Sequence, residues 1–194
     1  MKHLPAAAYR RMPWKNGGGV TTEIAVFPPD AGLDDFSWRI SMARVEGDGP
    51  FSLFPGVDRT LMLLEGAGLD LSVEGQGVHR LTRSYEIAAF PADAAASARL
   101  GAGPITDLNV MTRRGVCAAE VGLLRISGEQ RLDATDAVTV VLAEDDGFTA
   151  DTGDRRIALG RRDAVLLDPG ETAVLRAAQP CLAVVIAIRA VGSR

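Results

Sequence analysis

The sequence predicts an all-β protein of the sandwich or barrel type. Helix signals are scarce across its 194 residues. Short runs alternate apolar and polar side chains from end to end, the period of a half-buried strand. Turns rich in Gly, Pro and Asp separate these runs at the spacing of roughly 8–12 residues found in sandwiches and barrels. A hydrophobic fraction of 47% and a charged fraction of 24% supply a core of useful size. A jelly roll, which manages sheet edges by packing two sheets together, fits each half of the chain.

The most distinctive stretch is Trp14-Lys15-Asn16-Gly17-Gly18-Gly19-Val20-Thr21-Thr22-Glu23-Ile24. Val20, Thr22, Ile24 and Val26 alternate with Thr21, Glu23, Ala25 and Phe27. The pattern predicts a strand entered through a tight glycine turn, with Lys15 and Asn16 at its lip. Successive N–H groups of such a turn can form a concavity for an anion. The plainer reading is a strand-entry turn with exposed polar residues. Residues 28–32 form the next turn, with two prolines fixing φ. Residues 36–45 then alternate: Phe36, Trp38, Ile40 and Met42 share one face, and Ser37, Arg39, Ser41 and Ala43 the other. Residues 58–64 read as a strand; Leu69, Leu71 and Val73 alternate with Asp70 and Ser72, and residues 78–81 pair with them. The alanine-rich residues 93–98 are expected to form a helical turn. Residues 105–112 read as a strand that carries Asp107, Asn109, Met111 and Arg113 on one face and Leu108, Val110 and Thr112 on the other.

The second half repeats this style with less polar detail. Residues 138–142 and 172–176 read as strands, and the apolar residues 182–188 as a strand buried on both faces. A weak internal repeat places a boundary near 115–130, dividing the chain into a first barrel, 1–115, and a second, 116–194.

Composition narrows the function classes. A net charge of -4, with basic residues clustered only in short pairs such as Arg113-Arg114, argues against nucleic acid. No apolar run reaches the roughly 18 residues of a membrane span. Residues 1–14 lack the apolar segment of a signal peptide, so a cytoplasmic location is expected. The two cysteines, Cys117 and Cys181, sit among apolar neighbours as small buried hydrophobes. The two histidines, His3 in a tail read as mobile and His79 after a glycine turn, cannot assemble a triad or a histidine-rich metal site. Phosphate-loop, dinucleotide and serine-elbow motifs are missing.

The informative polar residues lie on strand positions of the first half: Arg39 with Ser41, Asp58 with Arg59, and Asp107 with Asn109 and Arg113. Strand arginines are rarely buried unless paired. The plainer reading is an ion pair tying strands, Arg39 with Asp58 or Asp107. The functional reading is a barrel mouth in which guanidinium binds a ligand carboxylate, with two parallel hydrogen bonds available. Glu23 would serve as a general base if buried.

Four segments together resemble the HutD/Ves family. They are the Trp14–Ile24 stretch; Phe36-Ser37-Trp38-Arg39-Ile40-Ser41-Met42-Ala43; Asp48-Gly49-Pro50-Phe51-Ser52 followed by Phe54-Pro55-Gly56-Val57-Asp58-Arg59; and Asp107-Leu108-Asn109-Val110-Met111 with Arg113-Arg114. The resemblance spans residues 4–190, its specific motifs all before 115. It implies a bicupin, two β-barrels in one chain. Family members are often encoded with histidine-degradation genes. The implied role is a non-catalytic regulator that senses or limits that pathway by binding a small carboxylate such as urocanate or an N-formyl- or formimino-glutamate. The implied pocket is the mouth of the first barrel, with Trp14, Lys15, Asn16 and the Gly17-Gly18 backbone at its rim, Arg39, Ser41, Asp58, Arg59 and Asn109 nearby, and Glu23 among the ligand-binding residues. Metal cupins present clustered histidines; residues 56–74, where the first such motif would fall, contain none, so no metal and no cofactor are expected. The expected partner is a small anionic metabolite, with no nucleic acid, no membrane, and a homodimer admitted as the assembly. Two other classes compete: a metal-independent enzyme acting on a small organic acid with Glu23 or Asp58 as base, and a protein-interaction module.

Overall fold

The computed structural model describes residues 1–14 and 17–192. The chain divides into two compact units: Arg10–Ala118, and Met1–Tyr9 together with Ala119–Arg194. The chain opens on β1 (Lys2–Leu4) and a single 3-10 turn at Ala6–Ala8. Contrary to the mobile tail expected, β1 pairs antiparallel with residues 164–166 of the C-terminal unit, placing His3 opposite Val165. The first nine residues therefore belong with the second half of the sequence, not with the first.

The unit Arg10–Ala118 holds β2 (Arg10–Pro13), β3 (Gly19–Phe27), β4 (Trp38–Val45), β5 (Gly49–Pro50), β6 (Val57–Glu65), β7 (Leu69–Val73), β8 (Gly77–Leu81), β9 (Ile87–Pro91), β10 (Ala96–Leu100) and β11 (Ile105–Arg113). They form a six-stranded sheet in the order β2-β3-β4-β11-β6-β9 and a four-stranded sheet in the order β5-β10-β7-β8. One core joins the two sheets. Ala43, Val45, Leu61, Leu63 and Phe90 come from the first; Leu69, Leu71, Val73, Ala96 and Ala98 come from the second. The alternation read at Leu69, Leu71 and Val73 is the inward face of β7.

The helical turn expected at 93–98 is instead the approach to β10. Ala96 and Ala98 are buried while Ser97 and Arg99 are exposed, a period of two. Pairing with β5 and β7 outweighs the helix preference of alanine, which is a weak prior. In β3 the register slips between Glu23 and Ala25. Such a bulge breaks the strict alternation read from the sequence and swaps the inward positions. Thr21 and Glu23 share a face with Ala43 and Ser41, but beyond the bulge Val26 takes the place opposite Arg39.

The second unit is built from β12 (Cys117–Asp133) from Ala119 onward, β13 (Val138–Ala143), β14 (Phe148–Asp151), β15 (Arg156–Leu159), β16 (Ala164–Leu167) and β17 (Thr172–Ala190). With β1 they make a seven-stranded sheet. The boundary expected near 115–130 lies inside β12, a continuous strand of 17 residues. Residues 172–176 and 182–188, read as separate strands, are one strand of 19 residues. Its apolar end is less enclosed than expected: Ala183, Val184 and Ile186 are buried, whereas Leu182, Val185 and Ala187 are half-buried. Among the described residues no helix is long and apolar enough to cross a membrane.

Candidate functional site

The inward face of the six-stranded sheet carries most of the buried polarity of the unit Arg10–Ala118. At its centre the register sets Glu23 beside Ser41, Ser41 beside Asn109, and Asn109 beside Leu61. On either side of this row, Asp107 stands between Ala43 and Leu63, and Met111 between Arg39 and Arg59. Ala43, Leu61 and Leu63 belong to the core shared with the four-stranded sheet, so the pleat aims Arg39, Ser41, Arg59, Asp107 and Asn109 into the interior. These five are between 0% and 6% exposed.

Charges taken out of water need partners. Arg39 Nε donates to Glu23 Oε2 at 2.6 Å, and its Nη1 donates to Ser41 Oγ at 3.3 Å. Asn109 Nδ2 donates to Asp107 Oδ1 at 2.6 Å. Arg59 lies 5.3 Å from the ring centres of Phe51 and Phe54 and 5.7 Å from that of Phe90. Aromatic faces attract a guanidinium. Arg59 Nη2 also donates to the Ser52 carbonyl at 3.3 Å. Arg59 Nε, Asp107 Oδ2 and Asn109 Oδ1 remain buried with no hydrogen-bond partner. Folded proteins leave few such atoms, and here three fall on two adjacent strands.

Burial pushes the Asp107 carboxyl up to about 7, with the Asn109 hydrogen bond and then the Arg59 charge pulling the other way. Burial also lowers the Arg59 guanidinium to about 10, where it stays cationic at neutral pH; Asp107 raises it and Arg39 lowers it. The Arg39 charge is matched by Glu23. Asp107 is only partly ionised near neutral pH, so the interior carries a positive excess centred on Arg59.

The glycine turn frames one edge of this unit. Trp14 Nε1 donates to Thr21 Oγ1 at 2.8 Å, and the indole packs against the interior core. Gly19 has no room for a side chain, since a Cβ there would lie 2.3 Å from the Arg44 carbonyl oxygen and 3.1 Å from the Trp14 ring. The Gly17 N–H is taken by the Trp14 carbonyl at 3.1 Å, so it is turned into the hairpin and not toward an anion. Gly18 accepts from the Glu46 N–H at 2.9 Å, which ties the turn to the end of β4. Lys15 and Asn16, expected at the lip, lie outside the described residues.

Asp58 is the clear departure from the expected site. It points outward, half-exposed, and accepts from Arg114 at 2.7 Å beside Asp93. It is one residue from Arg59, and the pleat sends adjacent side chains to opposite faces. The ion pair expected between Arg39 and Asp58 or Asp107 is made with Glu23 instead, because the bulge in β3 falls after Glu23 and leaves it in line with Ser41. The three phenylalanines around Arg59 were not foreseen as site residues, although Phe51 and Phe54 sit just before β6. Asp107, singled out beside Asn109 on its strand face, was left out of the implied pocket, yet it lies buried in the same interior.

Two open depressions lie away from this cluster. One, of about 430 Å³, is lined by residues that include Ser72, Glu74, Val78 and Ser97. The other, of about 350 Å³, is lined by Met1, Thr152, Asp154, Arg155, Glu171 and Thr172. Neither contains the unpartnered atoms of the interior, which therefore defines the candidate site. Among the described residues no three His, Cys, Asp or Glu side chains group as metal ligands.

Two sheets closed over a polar interior define the class as a cupin-like β-protein. A cupin 2 conserved barrel protein from Leptotrichia buccalis shares the fold, with a TM-score of 0.59 at 10% identity over 93% of this chain and 96% of that one. The HutD family model matches residues 6–184, and the chain belongs to the HutD family. A crystal structure of a conserved protein of unknown function from Pseudomonas aeruginosa is similar, with 32% identity and a TM-score of 0.88 over 97% of this chain and 98% of that one. HutD from Pseudomonas fluorescens is 30% identical, with a TM-score of 0.80 over 98% of this chain and 99% of that one. Protein Ves of Citrobacter koseri is 45% identical over 116 residues, 58% of this chain; the match spans 59% of that relative's length.

Proposed function

We propose that this protein is a small-molecule-binding regulator whose ligand is a small organic carboxylate held inside the Arg10–Ala118 unit. The reading takes the two units as two cupin barrels, a bicupin, with the ligand in the first. The carrying observation is Arg59: a buried guanidinium in a box of three phenylalanines, with Nε unpartnered. Such a cation, not matched by a fully ionised carboxylate, favours an anion, and guanidinium geometry suits a carboxylate. Arg39 and Ser41 lie on the same face, and Glu23 orients Arg39. Trp14 and the glycine turn form the rim. Membership of the HutD family supports histidine utilisation as the setting, with urocanate and N-formyl- or formimino-glutamate as candidate ligands.

The test is thermal unfolding of the full chain with a panel of these acids. A ligand at about 100 times its Kd stabilises by about 2.7 kcal/mol. For a domain of this size the midpoint rises by roughly 5–10 °C. Arg59→Met is expected to abolish the shift, while Arg80→Ala, an exposed site on β8, retains it. A panel without any shift refutes the proposal.

One observation favours a second reading, a metal-independent enzyme on the same acids. Asp107 titrates at about 7, near the value that suits a general base at neutral pH. Turnover of a bound acid that disappears in Asp107→Asn would select it over the regulator; binding without turnover selects the regulator.

A further inference from the structure

β11 places Asp107 and Asn109 two residues apart on one buried face. Their mutual hydrogen bond fixes what each has left. Asn109 turns its amide nitrogen toward Asp107 Oδ1, and its own Oδ1 is then unpartnered. Asp107 likewise has Oδ2 unpartnered. Both leftover atoms can accept, an amide oxygen through its lone pairs and a carboxyl oxygen through one it keeps in either protonation state. The side chains of Ala43, Leu61 and Leu63 are apolar, Ser41 Oγ accepts from Arg39 and keeps its own O–H, and the Ala43 backbone N–H acts on the Asp107 carboxyl, yet neither leftover oxygen has a bonded donor. A buried acceptor without a donor is costly. The interior thus has two different needs, an acceptor for Arg59 and a donor for the Asp107–Asn109 pair.

We infer that the molecule held here is a carboxylate that also carries a hydrogen-bond donor such as an N–H, with its carboxylate on Arg59 and its N–H on the paired oxygens of Asp107 and Asn109. The inference rests on the carboxylate reading above and narrows its ligand class. A simple carboxylate satisfies the cation and leaves two acceptors buried and unpaired. Sites built to hydrogen-bond a ligand group reject analogues that lack it far more strongly than apolar pockets reject a missing methylene. Imidazole-bearing acids and N-acyl amino acids fall inside the class; saturated or aromatic acids without a donor fall outside it.

The test is isothermal titration of the full chain with matched probes. The first pair is imidazole-4-acrylate and 3-(furan-2-yl)acrylate, which keeps the carboxylate and replaces the N–H by a ring oxygen. The second is N-formylglutamate and glutarate. In at least one pair the nitrogen member is expected to bind at least about ten-fold more tightly. In Asp107→Asn the new amide presents N–H where Oδ2 stood, so the preference is expected to fall below about two-fold or reverse. Arg59→Met is expected to abolish binding of both members. Equal affinity within both pairs overturns the donor requirement and leaves the carboxylate site standing. No binding of any probe overturns both readings. A preference that persists in folded Asp107→Asn removes the acceptor pair from recognition. Unliganded melting curves establish folding of the variants, and the wild-type ratio tests the inference by itself if Asp107→Asn does not fold.

Discussion

Asp107 and Arg59 show what burial does to ordinary ionisable side chains. An exposed aspartate is fully charged at neutral pH; Asp107, at 0% exposure, loses its hydration and titrates at about 7. The consequence for stability has a definite sign. Between the usual value of 3.8 and about 7 the folded chain holds a proton that the unfolded chain has released. Stability from this group is full below 3.8 and is lost as pH rises through about 7. At about 1.36 kcal/mol per pH unit, the loss is of order 4 kcal/mol. Surface carboxylates such as Asp93 and Asp151, held low by arginine and backbone hydrogen bonds, act in the opposite sense at acid pH. The difference between wild type and Asp107→Asn isolates the buried group. Urea unfolding from pH 4 to pH 8 is expected to show the variant gaining on wild type as pH rises, by a margin that levels off above about pH 7. A constant difference would mean that Asp107 is ionised throughout.

At the scale of elements, β1 is held by partners far away in the sequence. Three residues cannot form a stable strand alone, yet β1 pairs with β16 across more than 150 positions. Tyr9 locks the segment: its hydroxyl bridges to the Leu4 and Arg162 carbonyls, at 3.0 and 2.9 Å. A phenol oxygen has one proton, so the two contacts share it. The Ala6 N–H adds a bond to Asp163 Oδ1 at 2.7 Å. Burial, reinforced by the Asp163 charge, pushes the Tyr9 phenol well above its usual range, so it remains a donor at any physiological pH. Tyr9→Phe keeps the ring and removes the donor. It is expected to cost about 1–3 kcal/mol, measured by urea unfolding, with faster amide exchange in β1 and β16. Unchanged exchange there would show that strand pairing, not the phenol, holds the segment.

At the scale of the whole molecule, three sheets and one 3-10 turn account for the regular structure of the described residues. Far-UV circular dichroism is therefore expected to show a strand-dominated spectrum with negligible helix, against the roughly one third of residues that are helical in average globular proteins. A substantial helical signal would contradict the fold. The all-β class, the glycine turn before β3, the inward set of β7, and the pairing of Arg39 with Ser41 on one face were all legible in the sequence. Each follows from the period of two along a single strand, a property that local chain geometry imposes before any partner is chosen. The same period indicates that Asp58 and Arg59 face opposite ways but not which of them faces inward, because both are charged and neither marks the core. Packing decided it: Arg59 turned toward Phe51, Phe54 and Phe90, and Asp58 turned out to Arg114. The bulge after Glu23 was equally invisible, since an extra residue appears only against the register of a neighbouring strand. So were the attachment of β1 to β16 and the joining of Asp107, Asn109 and Arg59 into one polar interior. Alternation thus set the strands and their two faces, while the face turned inward, the partner of each strand and the unsatisfied atoms left inside were decided only by contacts between residues distant in sequence.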